Sequence, residues 1–366
     1  MLKKIYIDRF RHFRNFVFEP SGQNTILCGL NGTGKSTIVE ILSKLQLFLV
    51  NGAPVNSVCK FEDIPKWDLK EYGVHSSEIG IDITIKDIEY SYNLEIKYNL
   101  KEAICRVEKE SLKCGNNIIF ASNNGNCIIA TDDKKEIKYP VDWSFTGLVV
   151  AERFSSKIRK FIQYIKSNLF PVALNPYSLS GSHQESQPIL NLDGSNFSAW
   201  YDFLRDEQLP VIAGLFSEIS AFVPGFKQFV LEKEGKNREL TADILFNAEQ
   251  AYRIPFDSLS HGQKILCVLH ILLRITPKDS IIVIDEFENF LAPIELQPLY
   301  DAAQDAFEEK NIQFIFISHH HKTMNWFQDT AFILLFSGAP AFVRIEKFSS
   351  DLEIGIDEYL LEKSEQ

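Results

Sequence analysis

The stretch Gly29-Leu30-Asn31-Gly32-Thr33-Gly34-Lys35-Ser36 constrains this chain more than any other. It matches the pattern GxxxxGK[ST] at every position. An apolar run, Thr25–Gly29, precedes it, and Ile38, Ile41 and Leu42 follow on one helical face. A glycine-rich turn from a buried strand into a helix aims consecutive backbone N–H groups and the positive helix end at one anion. Glycines at 29, 32 and 34 permit backbone angles and close approaches that a Cβ forbids. The pattern points to a nucleotide polyphosphate, with Lys35 reaching the β- and γ-phosphates and Ser36 offering its hydroxyl to Mg²⁺. Gly29, Asn31, Gly32, Thr33, Gly34, Lys35, Ser36 and Thr37 are therefore the candidate ATP-binding residues here. A plain glycine-rich turn is the alternative, and the agreement of motif and context argues against it.

The remaining chain narrows the setting. Its 366 residues, 45% apolar and 24% charged, suffice for one large domain or two small ones. A net charge of −11 makes non-specific DNA binding a poor default. Cysteines at 28, 59, 105, 114, 127 and 267 form no CxxC pair, so reduced thiols and a cytoplasmic setting are expected. Met1–Tyr6 runs into Asp8 and Arg9 without a signal-peptide core, and no apolar run reaches the roughly 18 residues of a membrane span.

Hydropathy patterning predicts two short strands over residues 1–20 and an antiparallel meander over 78–130. It predicts an amphipathic helix over 151–169, a mobile Ser/Gly/Gln/Pro-rich loop over 179–194 and helix over 195–223. Regular α/β alternation returns over 258–346. The expected fold is α/β: a P-loop NTPase with a mixed sheet, an antiparallel β-subdomain and a helical insertion, an arrangement whose resemblance to an ABC-type ATPase head rests on the motifs described next. Within one domain spanning 1–366, the anticipated parts are 1–50, 51–150 (β-rich), 151–255 (helical insertion), 256–346 and a tail, 347–366. Arg153, Lys157 and Lys160 fall at i, i+4 and i+7 of the 151–169 helix, with Phe154, Ile158, Phe161 and Ile165 opposite. A solvated face over a packed one is the plainer reading of that stripe; contact with nucleic acid stays open.

A second apolar run, Ile281–Ile284, ends in Asp285 and Glu286. Such a run suits a strand buried on both faces, with Asp285 able to join a Mg²⁺ shell and Glu286 able to polarise an attacking water. Glu288 reads equally as a dimer-contact residue or a solvated turn residue. Leu259-Ser260-His261-Gly262-Gln263 opens a helical segment bearing Ile265, Leu266, Leu269, Ile271 and Leu272. Ser260 and the amides of Gly262 and Gln263 could form another helix-start anion site, and Ser260 is equally a natural N-cap. A third apolar run, Phe314–Ile317, leads into Ser318 and His319, with His320 and His321 beside them. Three adjacent histidines also admit a metal reading, disfavoured because neighbouring side chains point apart.

Together these motifs resemble the AAA/ABC-like ATPases related to SMC heads and to the ATPase half of overcoming-lysogenization-defect proteins. Leu259–Gln263 resembles the ABC signature LSGGQ, with His261 in place of the first glycine. Phe10-Arg11-His12-Phe13, Leu192–Phe197 and Val223-Pro224-Gly225-Phe226 are similar to further family segments. Asp285-Glu286-Phe287-Glu288 followed by Leu291-Ala292-Pro293 departs from the family's usual pattern at Phe287 and Ala292. The resemblance implies head-to-head dimers or higher homo-oligomers, with ATP held between one P-loop and the signature of a second copy. It implies that Lys35, Glu286 and His319 act in hydrolysis, His319 at the γ-phosphate and the catalytic water.

It also implies a role in DNA repair or anti-phage defence, with a separate nuclease or toxin as effector, as in PARIS-like or Septu-like systems. Too few residues follow the last predicted strand for a Toprim nuclease. An ATP-gated scaffold with weak hydrolysis and a transporter ATPase subunit remain the alternatives. Against the latter, Gln163 and Gln184 are weak Q-loop candidates, and no membrane partner is expected.

Overall fold

In the computed structural model the chain is described over residues 1–22, 24–65, 76–99, 101–102, 104–245, 250–337, 342–349 and 354–364. In chain order the elements begin with β1 (Leu2–Asp8), β2 (Phe16–Phe18), β3 (Thr25–Gly29) and α1 (Lys35–Asn51). A run of strands follows: β4 (Ser76–Ile85), β5 (Ile88–Asn99), β6 (Ile104–Cys114), β7 (Asn117–Asn123), β8 (Asn126–Ala130) and β9 (Glu136–Pro140). Then come α2 (Ser156–Asn168), β10 (Leu169–Val172), β11 (Ser182–His183), α3 (Phe197–Phe222), β12 (Phe226–Glu234), β13 (Asn237–Leu245) and β14 (Ala251–Pro255). The chain continues through α4 (His261–Ile275), β15 (Ile281–Asp285), α5 (Pro293–Lys310), β16 (Gln313–Ile317), α6 (His321–Trp326), β17 (Ala331–Ser337), β18 (Phe342–Lys347) and α7 (Ile356–Ser364). Two compact units result, one of residues 1–169 and 315–366, the other of residues 170–314. Their limits differ from the anticipated divisions at 51, 151 and 256.

In the first unit, β1 and β2 join the expected meander to give an antiparallel sheet in the order β2-β1-β4-β5-β6-β7-β8-β9. Two-residue turns set its register. Lys86-Asp87 and Asn124-Gly125 both take positive φ, whose twist matches that of the flanking strands. The apolar face of α2 packs on the sheet, with Phe161 stacked near Tyr90 and Tyr92 at ring distances of 5.8 and 6.1 Å. The helix is shorter than its periodicity suggested. It starts at Ser156, whose amide donates to Asp132 at 2.9 Å. Arg153 and the exposed Phe154 therefore lie before the helix, and the basic stripe does not run along one helical face.

A second sheet in this unit runs β16-β3-β17-β18. Strand β3 is parallel to both β16 and β17, and every one of its residues is buried. The N-terminal and C-terminal parts of the sequence thus meet in one sheet, as the α/β alternation at both ends implied.

In the second unit, β13 pairs with β11, β12 and β14, all antiparallel. The segments 226–234, 237–245 and 251–255 were expected to continue a helical insertion and are strands instead. Gly235-Lys236 closes a two-residue hairpin, with Gly235 at φ 62°, and Phe229 turns inward against Phe197, Tyr201 and Phe256 of the aromatic core, with Phe226 packed on Phe229. The stretch 179–194, expected to be a mobile loop, is tied down. Ala173 N donates to Leu192 O, Gly181 N to Asp257 Oδ1, and His183 bonds both Ser198 and Asp202. Helix α3 packs on α4 and on β12, and β10 neighbours β15. Among the described residues no helix is long and apolar enough to cross a membrane.

Candidate functional site

In the first unit the P-loop leaves the C-terminal end of β3 and ends at Gly34, the N-cap of α1. Gly29 has φ 154°, and a Cβ there would fall 2.6 Å from the carbonyl oxygen of Leu334 on β17. No side chain caps α1, so its first-turn amides keep the character of an anion site. Lys35, only 5% exposed, folds back over the loop and donates to the carbonyls of Gly29 at 2.8 Å and Leu30 at 3.1 Å. This curls the ammonium around the loop's own backbone. Asn31, Gly32 and Ser36 face outward. Thr33 is buried, and its hydroxyl staples the turn by donating to Leu30 O at 2.8 Å. Thr37 is also buried and accepts from Arg11. The side chains of these two threonines therefore shape the loop from inside, leaving only their backbones for a ligand.

Strand β16 lies beside β3 in parallel, with Ile317 opposite Leu27, and Ser318 N extends the ladder to Leu27 O at 3.2 Å. His319 consequently leaves the sheet at the same edge as the P-loop, one strand away, and is exposed. Carboxyl ends of neighbouring parallel strands are where α/β sheets place ligands. Ser318 Oγ accepts from His320 N at 2.9 Å, which turns the chain into α6 with His320 as its N-cap. The side chain of His321 lies outside the described residues. No metal cluster of His, Cys, Asp or Glu forms among the described residues.

In the second unit, the buried β15 ends at Asp285, and Glu286 follows at φ 44° and ψ 37°. A left-handed conformation costs a non-glycine residue roughly 1–2 kcal/mol, and such strain concentrates at functional positions. Asn289 donates from Nδ2 to Glu286 Oε2 at 3.2 Å, fixing one carboxylate oxygen. Glu288 is buried, which excludes the solvated-turn reading of that residue.

The signature segment, also in the second unit, forms a complete capping box. Ser260 Oγ accepts from Gln263 N at 3.3 Å, and Gln263 Oε1 accepts from Ser260 N at 2.9 Å. The amide of Gln263, expected to face phosphate, is thus engaged inside its own helix. Ser260 stays exposed and keeps its hydroxyl proton to donate. Gly262 runs close to Phe290, whose carbonyl oxygen would lie 3.1 Å from a Cβ. The ring of His261 meets that of the exposed Tyr177 edge-on at 4.3 Å. Of the Q-loop candidates, Gln163 points to solvent on α2 and Gln184 donates to Asn237, so neither marks a site.

Sequence reasoning missed the group that braces the P-loop helix. Arg11 donates from Nε to Asp63 at 2.6 Å and from both terminal nitrogens to Glu40 at 2.6 and 3.0 Å. Lys44 reaches Glu40 at 2.6 Å. Burial raises the Glu40 pKa, but hydrogen bonds from Arg11 and Lys44 outweigh it and hold the carboxyl below its ordinary range. Arg11 itself takes φ 51° in the turn after β1. Nothing local signals a contact between this turn, α1 and a segment 52 residues on.

Residues 25–325 match the family described as "AAA domain, putative AbiEii toxin, Type IV TA system". The chain belongs to this family. No curated protein matches it. Among solved structures, this AAA-family chain is similar to an SMC head bound to the C-winged helix domain of ScpA. The TM-score is 0.57 at 14% identity, over 96% of this chain and 99% of that one. It is also similar to an SMC head domain with an extended coiled coil bound to the C-terminal domain of ScpA, derived from Pyrococcus furiosus. There the TM-score is 0.51 at 13% identity, over 100% of this chain and 99% of that one. Likenesses at such identity establish the fold alone, that of an SMC head domain.

Proposed function

We propose that the chain hydrolyses ATP with Mg²⁺ and works as an ATP-driven dimer switch, controlling a separate effector such as a nuclease or toxin. The observation that carries this reading is Glu286, held in a strained backbone conformation directly after Asp285 and oriented by Asn289. Strain held beside a buried strand's acidic end supports a catalytic role for this carboxylate. Ser36 and Asp285 are hard oxygen donors of the kind Mg²⁺ takes, and these two residues would hold it. When bound, Mg²⁺ supplies charge neutralisation at the phosphate oxygens.

The amides of the P-loop and Lys35 bind the β- and γ-phosphates. Glu286 accepts a proton from water as its oxygen attacks the γ-phosphorus in line, and the bond to the β–γ bridging oxygen breaks to leave ADP and phosphate. His319 orients that water. Ser260 of a second copy donates its hydroxyl to the γ-phosphate, so that ATP closes the dimer and hydrolysis opens it. The likeness to SMC heads and the order of the motifs support this arrangement. An anti-phage defence or DNA-repair role in the cytoplasm, in the manner of OLD-related, PARIS-like or Septu-like ATPases, rests on the motif resemblance.

One observation favours the second reading, an ATP-gated scaffold with weak hydrolysis: His261 replaces a glycine, and the Gln263 amide is occupied. Turnover measurements on the purified chain separate the two. Glu286→Gln should bind ATP, lose hydrolysis and accumulate as a dimer in light scattering, while Lys35→Ala should fail to bind. Mixing Ser260→Arg with Lys35→Ala should leave at most one of two composite sites workable. Wild-type turnover by Glu286→Gln would remove the catalytic assignment, and monomers at saturating ATP would remove the switch.

A further inference from the structure

All six cysteines carry free, buried thiols. Two of them, Cys59 and Cys105, meet within the first unit, and the contacts around them fix the meeting. The single helical turn Val55–Val58 lies on β6, where Asn56 Oδ1 accepts from Cys105 N at 2.8 Å. Cys59 closes that turn, its amide donating to Val55 O at 3.0 Å. Across the sheet, Cys105 pairs directly with Tyr98 of β5. The Tyr98 hydroxyl lies 2.7 Å from Cys59 Sγ. The two thiols thus share one buried space and hydrogen-bond to each other.

A thiol pair closes to a disulfide only when one sulfur ionises ahead of the other. The surroundings sort these two. The hydrogen bond from Cys59 holds the Cys105 thiol below its ordinary pKa, against burial and the charges of Asp63 and Glu62. Burial pushes Cys59 well above its own. Burial likewise raises Cys127 and Cys267.

We propose that Cys59 and Cys105 form a peroxide-responsive dithiol, with Cys105 reacting first and Cys59 resolving the product into a disulfide. The Cys105 thiolate attacks one peroxide oxygen, the O–O bond breaks, and the departing hydroxide takes up a proton to become water. The Cys59 sulfur then attacks the sulfur of the Cys105 sulfenic acid. The S–O bond breaks, and a second water leaves with the Cys59 proton. Two thiols are oxidised to one disulfide as one peroxide is reduced to two waters. Burial of both sulfurs favours an oxidant close to water in size over a bulky disulfide.

The bond would reach the P-loop helix through one short turn. Lys60 N donates to Asp63 Oδ2 at 3.0 Å, and Asp63 holds Arg11, which holds Glu40 on α1. A disulfide at Cys59 therefore ties to β6 the turn that braces α1.

The test treats the full chain with hydrogen peroxide, blocks remaining thiols with iodoacetamide in urea and maps the peptides by mass spectrometry. The expected product is a peptide pair joined through Cys59 and Cys105, two hydrogens lighter than its separate halves and split by dithiothreitol. The oxidised chain should melt at a higher temperature than the reduced one, because the cross-link constrains the unfolded chain. Cys59→Ser should leave Cys105 as a sulfenic acid that dimedone traps, and Cys105→Ser should leave Cys59 a thiol. Both thiols intact at peroxide concentrations that oxidise free cysteine would overturn the proposal. So would sulfinic acid without a cross-link, a cross-link to another cysteine, or an oxidised chain that melts no higher. Dimedone capture at Cys59 in place of Cys105 would overturn the assigned order.

Discussion

Phe13 stands against Gly34 so closely that a Cβ on Gly34 would fall 2.7 Å from Cζ of Phe13. Gly34 also takes φ 87° as the N-cap of α1. Gly34→Ala therefore meets two obstacles, a left-handed backbone worth about 1–2 kcal/mol and a ring with nowhere to go. The expected outcome is a lower melting temperature and lost nucleotide binding. Adding Phe13→Leu should recover part of the stability without restoring the binding, which calorimetry of the two variants would show.

Asn289 gives a milder test of the catalytic carboxylate. Its side chain touches Glu286 at 3.2 Å, so Asn289→Ala frees the carboxylate to rotate without removing it. The rate of ATP turnover should fall by about tenfold, with little change in the Michaelis constant, the pattern of a lost transition-state alignment. An equal loss in binding would show that Asn289 instead supports the loop.

The two readings of Ser260 separate cleanly by substitution. Ser260→Ala removes the cap from α4 and should cost about 1 kcal/mol. Ser260→Asp keeps a good cap, so its melting temperature should match the wild type. It also sets a negative charge where the proposed second copy brings its phosphate. Full ATPase activity in Ser260→Asp, measured by phosphate release, would leave Ser260 with only a structural role.

Arg11→Ala should destabilise the chain by about 1–3 kcal/mol, the range for hydrogen bonds to charged groups, because Asp63 is buried and loses its guanidinium partner. Arg11→Lys should recover little of this, since one ammonium cannot span Glu40, Asp63 and Thr37 together. Denaturant titration of the three proteins gives the comparison.

His270 and Glu110 should tilt stability with pH in opposite directions. Folding lowers the His270 pKa from 6.5 to about 4, so the unfolded chain binds the extra proton and stability falls as pH drops through that window. Folding raises the Glu110 pKa from 4.5 to about 7, chiefly by burial, against hydrogen bonds from Thr146, Gly147 and Tyr92. Here the folded chain holds the extra proton, and stability falls as pH rises through its window. Each effect is about 3 kcal/mol in full. His270→Leu should leave a chain that weakens as pH climbs, and Glu110→Gln one that weakens as pH falls, both read from urea midpoints.

What this sequence determined alone is what short stretches encode. The P-loop is legible because only glycine tolerates the angles at 29 and 34, and because the Lys35–Ser36 pair directly follows. The strand ends at Asp285 and His319 are legible because apolar runs stop abruptly at polar residues. Tertiary structure decided everything that depends on which distant segments meet. It set Thr37 against Arg11 and braced α1 through Arg11, Glu40 and Asp63. It made strands of 226–234 and 237–245, where the aromatic core offered partners for Phe229, and it buried His270 Nε2 without a hydrogen-bond partner. Hydrogen bonding and burial belong to contacts between remote residues, and a linear pattern records only one side of each contact.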